Sequence, residues 1–436
     1  MLIRPFLAAV RDLVLLLALP VMLPIAFVLS KRQKADRLVW GHTPIINNKY
    51  WSAAVRALGY QSLTLMSGYY GGINDRKDFD LYFEDIFPLV KPQLLRKAIM
   101  PWLVLCFLAR NAAVLHISFD GGAFSRTRLW RLEAIFYRML GIRTIIMPYG
   151  ADFYVYSKVF DPCIRHGLLL SYPEAARREK AIDTRVGYWV RHADIILAGY
   201  TLEGLSRWDV PIGNMLCIDL QQWVCKASYS DSDGRNRAVR VLHNPNHVGV
   251  KGTEFINEAV AALQRDGLQV ELVTLSGVQN SRIRTTMQEV DIHADQLILP
   301  GYGMAAIEAM ASGLPVIANL SDHRYTSIFR RFSYLNECPV VSATPETIEQ
   351  VLRALVSSPA LRKELGLANR AYVQKYHSYE ASQYLFGAVY DRILKGNKDV
   401  ELMSLFHPIK SAYVKRSPKV EHPLVNNNIP SRSEAA

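Results

Sequence analysis

The run GYGMAAIEAMASGLPVIANL, residues 301–320, carries a single carboxylate, Glu308, in an otherwise apolar stretch. An unpaired buried carboxylate is strongly unfavourable, so Glu308 calls for a partner or a ligand. Gly301 and Gly303 open the run. A helix starting just after them offers free backbone N–H groups and the positive end of its dipole, a ready site for a diphosphate. Glycines there let a ligand approach the backbone. Lys251, within the triplet Lys251–Gly252–Thr253, can add a mobile positive charge to the same phosphates. Glu308 lies a little over one turn into the helix and can accept two hydroxyl hydrogen bonds, as from a ribose diol. Each part alone has a plainer reading: a surface lysine, a turn with an N-cap, a glutamate paired with an arginine of another domain. Taken in order, they describe a nucleotide diphosphate.

These residues need strands to hold them. Apolar runs at 239–242, 268–275, 290–294, 314–318 and 339–342 read as strands. Between and after them, 253–266, 281–289, 304–312, 345–357, 359–376 and 379–394 read as helices. This alternation implies βαβ units and a parallel sheet. Ligands of such sheets sit beyond the carboxyl ends of the strands. Those ends carry His243 and Asn244, then Gly277, then Asp295 and Gln296, with Gly301, Tyr302, Gly303 and Met304 at the helix mouth. The first half alternates in the same way, with strands at 112–118, 143–147 and 194–198 and a helix at 128–140. Two such halves predict two nucleotide-fold domains facing a cleft. The expected boundaries are 1–35 for a hydrophobic membrane segment, 36–225 for the first domain and 226–237 for a polar linker. The second domain is expected at 238–395, followed by a partly disordered extension at 396–436 whose last dozen residues are disordered.

A chain of 436 residues with 50% hydrophobic residues is globular and suits two domains. Its formal net charge of +12 fits a nucleic acid, an anionic membrane or a phosphorylated ligand. No aromatic–basic recognition motif supports nucleic acid. The five cysteines are scattered without a CxxC pair, which indicates neither a zinc cage nor a disulfide framework. Residues 13–30 carry no charge and reach roughly 27 Å as a helix, just enough for a hydrocarbon core. Lys31, Arg32, Lys34 and Arg37 follow, which puts the bulk of the chain on the cytoplasmic side of the inner membrane. Pro20 and Pro24 leave a spanning helix and a kinked, re-entrant one both open. A buried helix is the plainer alternative.

The second half resembles the donor domain of a GT-B glycosyltransferase of the retaining family 4 type. The resemblance rests on KGT at 251–253, VDIHADQLILPGYGMAAIEAMASGLPVIA at 290–318, and RAYVQKYHSYEAS with YDRIL near the end. It is specific over about 239–394 and loose over about 38–220. It implies an α/β, GT-B architecture: two Rossmann-like domains facing a cleft, here with an N-terminal membrane-associated helix. It further implies hexosyl transfer with retention from a nucleotide-sugar, with no obligatory cofactor and no metal. The family carries two glutamates eight positions apart; Glu308 matches the second and Pro300 stands at the first. DQLILPGYG is similar to a polysaccharide-assembly subgroup that also lacks the first, which leaves Asp295 or Gln296 as the substitute. The family's arginine ahead of the lysine is missing, with His243 and His247 as stand-ins.

In the first half, MPYGADFY at 147–154 resembles the family's H-G-x-D segment, with Asp152 at the aspartate and Tyr149 at the histidine. GHTPIINNKYWSAAVRALG at 41–59 would be the first strand-end loop and helix, turning Gly41, His42 and Asn47 toward the cleft. HISFDGG at 116–122 is a further strand end, although His116 reads more simply as a core histidine. The expected catalytic residues are Glu308, Lys251 and Asp152. The expected partners are a nucleotide-sugar, a saccharide or lipid-linked saccharide acceptor and the membrane, in exopolysaccharide or cell-envelope synthesis. A non-catalytic GT-B subunit that binds sugar nucleotide, and a sugar-nucleotide epimerase, are the alternatives.

Overall fold

The computed structural model describes residues 3–32, 35–71, 73–88 and 93–430. An apolar helix, α1 (Ile3–Ser30), comes first. The first sheet is built from β1 (Arg37–His42), β2 (Gln61–Met66), β3 (Leu81–Tyr82), β4 (Val114–Ile117), β5 (Arg143–Ile146) and β6 (Ile195–Ile196). Helix α2 (Asn47–Arg56) follows β1, and α3 (Gln93–Asn111) precedes β4. The second sheet uses β7 (Val239–His243), β8 (Val270–Thr274), β9 (Ile292–Ala294), β10 (Val316–Ala318) and β11 (Val341–Ser342). Its site-bearing helices are α4 (Thr253–Arg265), α5 (Asn280–Glu289) and α6 (Met304–Ala311), and the long helices α7 (Pro359–Tyr376) and α8 (Tyr379–Ile393) close the body.

Every pairing between these strands is parallel. The central strands β4, β9 and β10 are buried at every residue, which is why they read as unbroken apolar runs. The strand orders are β3-β2-β1-β4-β5-β6 and β11-β10-β9-β7-β8. In both sheets the order reverses at the first strand of the half: β1 lies between β2 and β4, and β7 between β8 and β9. The carboxyl ends of β1 and β7 are therefore the switch points where ligands of open sheets collect. Together these sheets, with the apolar helix α1, give the GT-B architecture expected from the sequence.

Several elements differ from expectation. The segment 128–140 divides into a tight turn, Arg128–Leu132, and a short helix, Glu133–Met139, because the Thr127 side chain accepts the Leu129 N–H and starts the turn early. Helix α8 leaves the second sheet and packs on α2. There Gln383 donates to the Ala54 carbonyl at 3.1 Å and Tyr390 meets His116 Nε2 at 2.9 Å. His116 stacks on Trp40 at 3.6 Å with its Nδ1 on the Val39 carbonyl, so it is a core histidine with both nitrogens satisfied. A boundary at 395 thus does not separate the two bodies in space. The linker 226–237 is irregular but held: the buried Arg362 guanidinium donates to the Ser230 and Ser232 carbonyls.

The C-terminal extension is also docked. Lys375 pairs with Glu337 at 2.9 Å and donates to the Ser417 and Pro418 carbonyls. Residues 425–430, expected to be disordered, form a turn whose Asn427 is buried; 431–436 lie outside the described residues. Asn427 donates to the Cys338 and Val340 carbonyls at 2.7 and 2.9 Å and accepts from Arg330 at 2.6 Å. Asn427→Ala leaves those three groups without their partner and should destabilise the protein by roughly 1–3 kcal/mol. Denaturant unfolding reads this directly, and a variant as stable as the parent would mean that the extension is not docked.

Candidate functional site

The switch point of the second sheet is organised by Asp295. The residue follows β9, and its side chain is 1% exposed. One oxygen pairs with Lys251 Nζ, and the other accepts the Gly303 N–H at 3.0 Å. Lys251 also donates to Gln296 Oε1 at 3.3 Å. Burial alone would raise the Asp295 carboxyl, but the charge and hydrogen bond of Lys251, with the Gly303 N–H, hold it below its usual range. A Cβ on Gly303 would stand 3.7 Å from Lys251 Nζ, which places the mouth of α6 directly beside the ammonium. The Met304, Ala305 and Ala306 N–H groups make no hydrogen bond to a described residue, as the first turn of a helix requires. The lysine, far from being free, is pre-oriented by an acid.

Helix α6 then carries Glu308 inward. The residue is 5% exposed and has no salt-bridge partner among the described residues. Its Oε1 accepts from Asn280 Nδ2 at 2.8 Å, from the first residue of α5. Burial lifts the carboxyl to about 7; the Asn280 bond and the nearby Arg284 oppose this, and the Asp295 charge adds to it. Among the described residues, no arginine of the first domain pairs with it. Gly301 has φ +96° and lies against Tyr200 so closely that a Cβ would be 2.2 Å from the ring. Only glycine satisfies both conditions there.

The other predicted donor-side residues divide by what their atoms touch. His243 Nδ1 donates to the Ala294 carbonyl at 2.8 Å, and Nε2 accepts from Thr253 at 2.9 Å. Burial lowers its pKa, and that of His247, so neither ring supplies the positive charge of the missing arginine. Asn244 accepts from His293 Nε2 at 2.8 Å. The Tyr302 ring turns away from the site and meets Tyr372 and His377 in the core at 2.9 and 3.0 Å, leaving only its backbone at the helix mouth. Gly277 sits in open space in the loop that leads to Asn280. Met304 faces the first domain, where Asn47 Nδ2 lies 3.0 Å from its sulfur.

The first domain presents its own switch point. Asp152 accepts the Tyr149 N–H and the Phe119 N–H, each at 3.0 Å, and so clamps the loops after β5 and β4 together. Burial and the neighbouring Asp120 raise its carboxyl above the usual range. His42 Nε2 lies 3.0 Å from Ser125 Oγ; burial lowers its pKa to about 4 against the pull of Asp120, which leaves a neutral ring. Tyr149 donates to Asn48 at 3.0 Å. Asn47 is committed to the interface, its oxygen accepting the Cys217 N–H at 2.7 Å. Gly41 packs on β2, where a Cβ would be 2.6 Å from the Leu65 carbonyl oxygen. Thus Lys251, Asp295, Gln296, Gly303 and Glu308 gather at one edge, and His42, Tyr149 and Asp152 at the other. Asn280 and Asp120, not singled out from the sequence as partners, complete the two groups. No local pattern marks Asn280, since it meets Glu308 from 28 residues away.

No family model matches the sequence, and no curated protein does. Solved structures do match the fold. Sucrose-phosphate synthase from Thermosynechococcus elongatus aligns with TM-score 0.52 and 15% identity, over 83% of this chain and 100% of that one. TarM aligns with TM-score 0.50 and 10% identity, over 81% of this chain and 99% of that one. At these identities the likeness is one of fold.

The Glu308 environment sets a pH dependence. Its carboxyl ionises near 4.5 in an unfolded chain and near 7 in the fold. Between these values the folded state keeps a proton that the unfolded chain has lost. The contribution of Glu308 is therefore fully present below the lower value and is lost as pH rises through the upper one. Glu308→Gln abolishes that dependence. The variant should match the parent near the acid end and exceed it at about pH 8, by at most about 3 kcal/mol. Parallel unfolding curves for both proteins across this window would rule out a buried carboxyl lacking a cationic partner.

Proposed function

We propose that the protein is a glycosyltransferase that moves a sugar from a nucleotide-diphosphate-sugar to a saccharide or lipid-linked saccharide. It acts at the cytoplasmic face of the inner membrane, in polysaccharide or envelope synthesis. The observation that carries this reading is Glu308, buried on α6, held by one neutral amide and lacking a cationic partner among the described residues. A ribose diol supplies the hydroxyls such a carboxylate needs. Five residues earlier the helix opens beside Lys251, a distance of about 7.5 Å along the axis, on the order of the reach from ribose hydroxyls to a diphosphate. The GT-B fold, which solved structures of low identity share, supports the same class of chemistry.

In this reading Lys251 gives two of its three donors to Asp295 and Gln296 and turns the third to the diphosphate. The unpaired N–H groups of the first turn of α6 share the charge that grows on the leaving group. Of the two candidates, Gln296 takes the place left by Pro300, next to the transferred sugar, since both oxygens of Asp295 are committed to Lys251 and Gly303. The bond from the sugar's anomeric carbon to the diphosphate breaks and an acceptor hydroxyl bonds to that carbon on the same face. The hydroxyl proton passes to the departing phosphate oxygen, so retention needs no covalent intermediate and no obligatory metal. The first domain's His42, Tyr149 and Asp152 edge holds the acceptor, with Asp152 keeping the two loops in register. Nucleic acid has no part in the scheme.

The test begins with nucleoside diphosphates and the purified full chain. A ligand at 100 times its Kd should add roughly 2.7 kcal/mol, read as a raised melting temperature. Glu308→Ala should weaken that binding by about 10- to 100-fold, the value of one or two hydrogen bonds to a charged group. Lys251→Ala should cut turnover by about 10²–10³ through loss of charge stabilisation on the leaving group. Binding without sugar transfer or donor hydrolysis would favour the non-catalytic subunit, and interconversion of the free sugar nucleotide would favour the epimerase. No thermal response to any nucleoside diphosphate would remove the donor site altogether.

A further inference from the structure

Helix α1 contains Phe6–Ser30, with a mean hydropathy of 2.7, long and apolar enough to cross a membrane by length and composition. Its surroundings are not those of a lone span. Leu15 and Ala26 are fully buried, and Ala18, Leu19, Met22 and Leu29 are partly buried beside them. These positions form one helical stripe, and it lies on α3, where Trp102 Nε1 donates to the Leu15 carbonyl at 2.9 Å. Asp12 is buried at the same seam, 3.0 Å from Arg11 and 3.7 Å from Arg128, and Arg11 donates to the Arg126 carbonyl at 2.6 Å. Helix α3 in turn covers the first sheet, with Trp102, Leu105, Leu108 and Ala109 buried. The opposite stripe of α1 is bare: Phe6, Leu13, Leu17, Val21 and Val28 are 66, 56, 70, 59 and 65% exposed.

We infer that α1 lies in the plane of the membrane surface, clamped to α3, with its bare stripe immersed in one leaflet of anionic phospholipid. A helix apolar on all sides needs cover on all sides, and α3 covers only one. A perpendicular span would drag α3, with Arg96, Lys97 and Arg110, and the sheet behind it toward hydrocarbon, where unpaired charge is strongly disfavoured. An in-plane helix avoids this: the bare stripe enters the leaflet while the protein stays in water. Exposed Lys31, Arg32, Arg126, Arg128 and Arg131 lie at or near the ends of this seam, where cations meet anionic headgroups. The inference rests on the membrane clause of the proposed function and turns it into one topology.

The experiment uses the full chain with epitopes at both ends, in membrane vesicles that expose the cytoplasmic face. Protease added outside should remove both epitopes. An N-terminal epitope that stays protected would overturn the in-plane helix while leaving membrane association and sugar transfer standing. Separately, purified protein should sediment with vesicles of phosphatidylcholine and phosphatidylglycerol. Leu17→Glu with Val21→Glu should lower the bound fraction by about tenfold or more, with the melting temperature and the response to nucleoside diphosphate unchanged. A protein that ignores vesicles and instead dimerises through this stripe would overturn both the inference and the membrane clause. The donor site, read by the thermal response, would be untouched by that result.

Discussion

The site depends on one buried carboxylate. Asp295 stands at the end of β9, beside the end of β7, and holds the Lys251 ammonium on one oxygen and the Gly303 N–H on the other. It therefore fixes, at once, the loop that carries the lysine and the start of the helix that carries Glu308. Removing one partner of a buried pair leaves an uncompensated charge, which is strongly destabilising. A Cβ at Gly303 would sit in ordinary contact with the pair, 3.7 Å from the ammonium and 3.9 Å from Asp295 Oδ2, so the helix mouth lies directly against it. Geometry at the switch point is thus enforced by electrostatics rather than by shape alone.

That edge does not stand free of the rest of the fold. Tyr200 of the first domain presses on Gly301, Asn214 donates to the Tyr302 carbonyl at 2.6 Å, and Asn47 reaches Met304. Helix α8 then crosses back to the first domain and buries Phe386 and Tyr390 against Trp40, Trp51 and His116. The two switch points are set relative to each other by these contacts. The α8 seam and the mouth of α6 are joined by continuous contacts through α2 and Asn47.

Some of this was legible in the sequence and some was not, for physical reasons. The apolar runs marked all five strands of the second sheet but only β4, β5 and β6 of the first, because β2 is not buried throughout and β3 has two residues. Glu308 stood out because a charge in such a run has few uses. The parts that depend on distant partners left no local trace. Asn280 looks like an ordinary helix start until the fold brings it to Glu308. Tyr302, beside two glycines, suggested a ligand contact, yet its ring fills the core below Tyr372 and His377. Residues 425–430 resemble disorder by polar composition, whereas Asn427 uses its amide to satisfy the Cys338 and Val340 carbonyls just before β11. Asp12 has Arg11 beside it in the sequence; Arg128 joins it only once α1 lies on the domain.

The two carboxylates of the site are equally buried and differ in company, and that difference is the clearest mark of function. Asp295 has a cation and a backbone donor and is held ionised. Glu308, one turn and a half along the same helix from Gly303, has a single neutral amide and is pushed to about 7. A core needs no such contrast, because a second apolar residue at 308 would fill the same space at no electrostatic penalty. Neighbouring acids driven in opposite directions are the pattern of groups with separate tasks. Here the paired one maintains the architecture of the helix mouth, and in the proposed function the unpaired one accepts from a ligand that brings its own hydrogen-bond donors. Under the proposed function that ligand is a nucleotide, its ribose at Glu308 and its diphosphate beside Lys251 and the open end of α6.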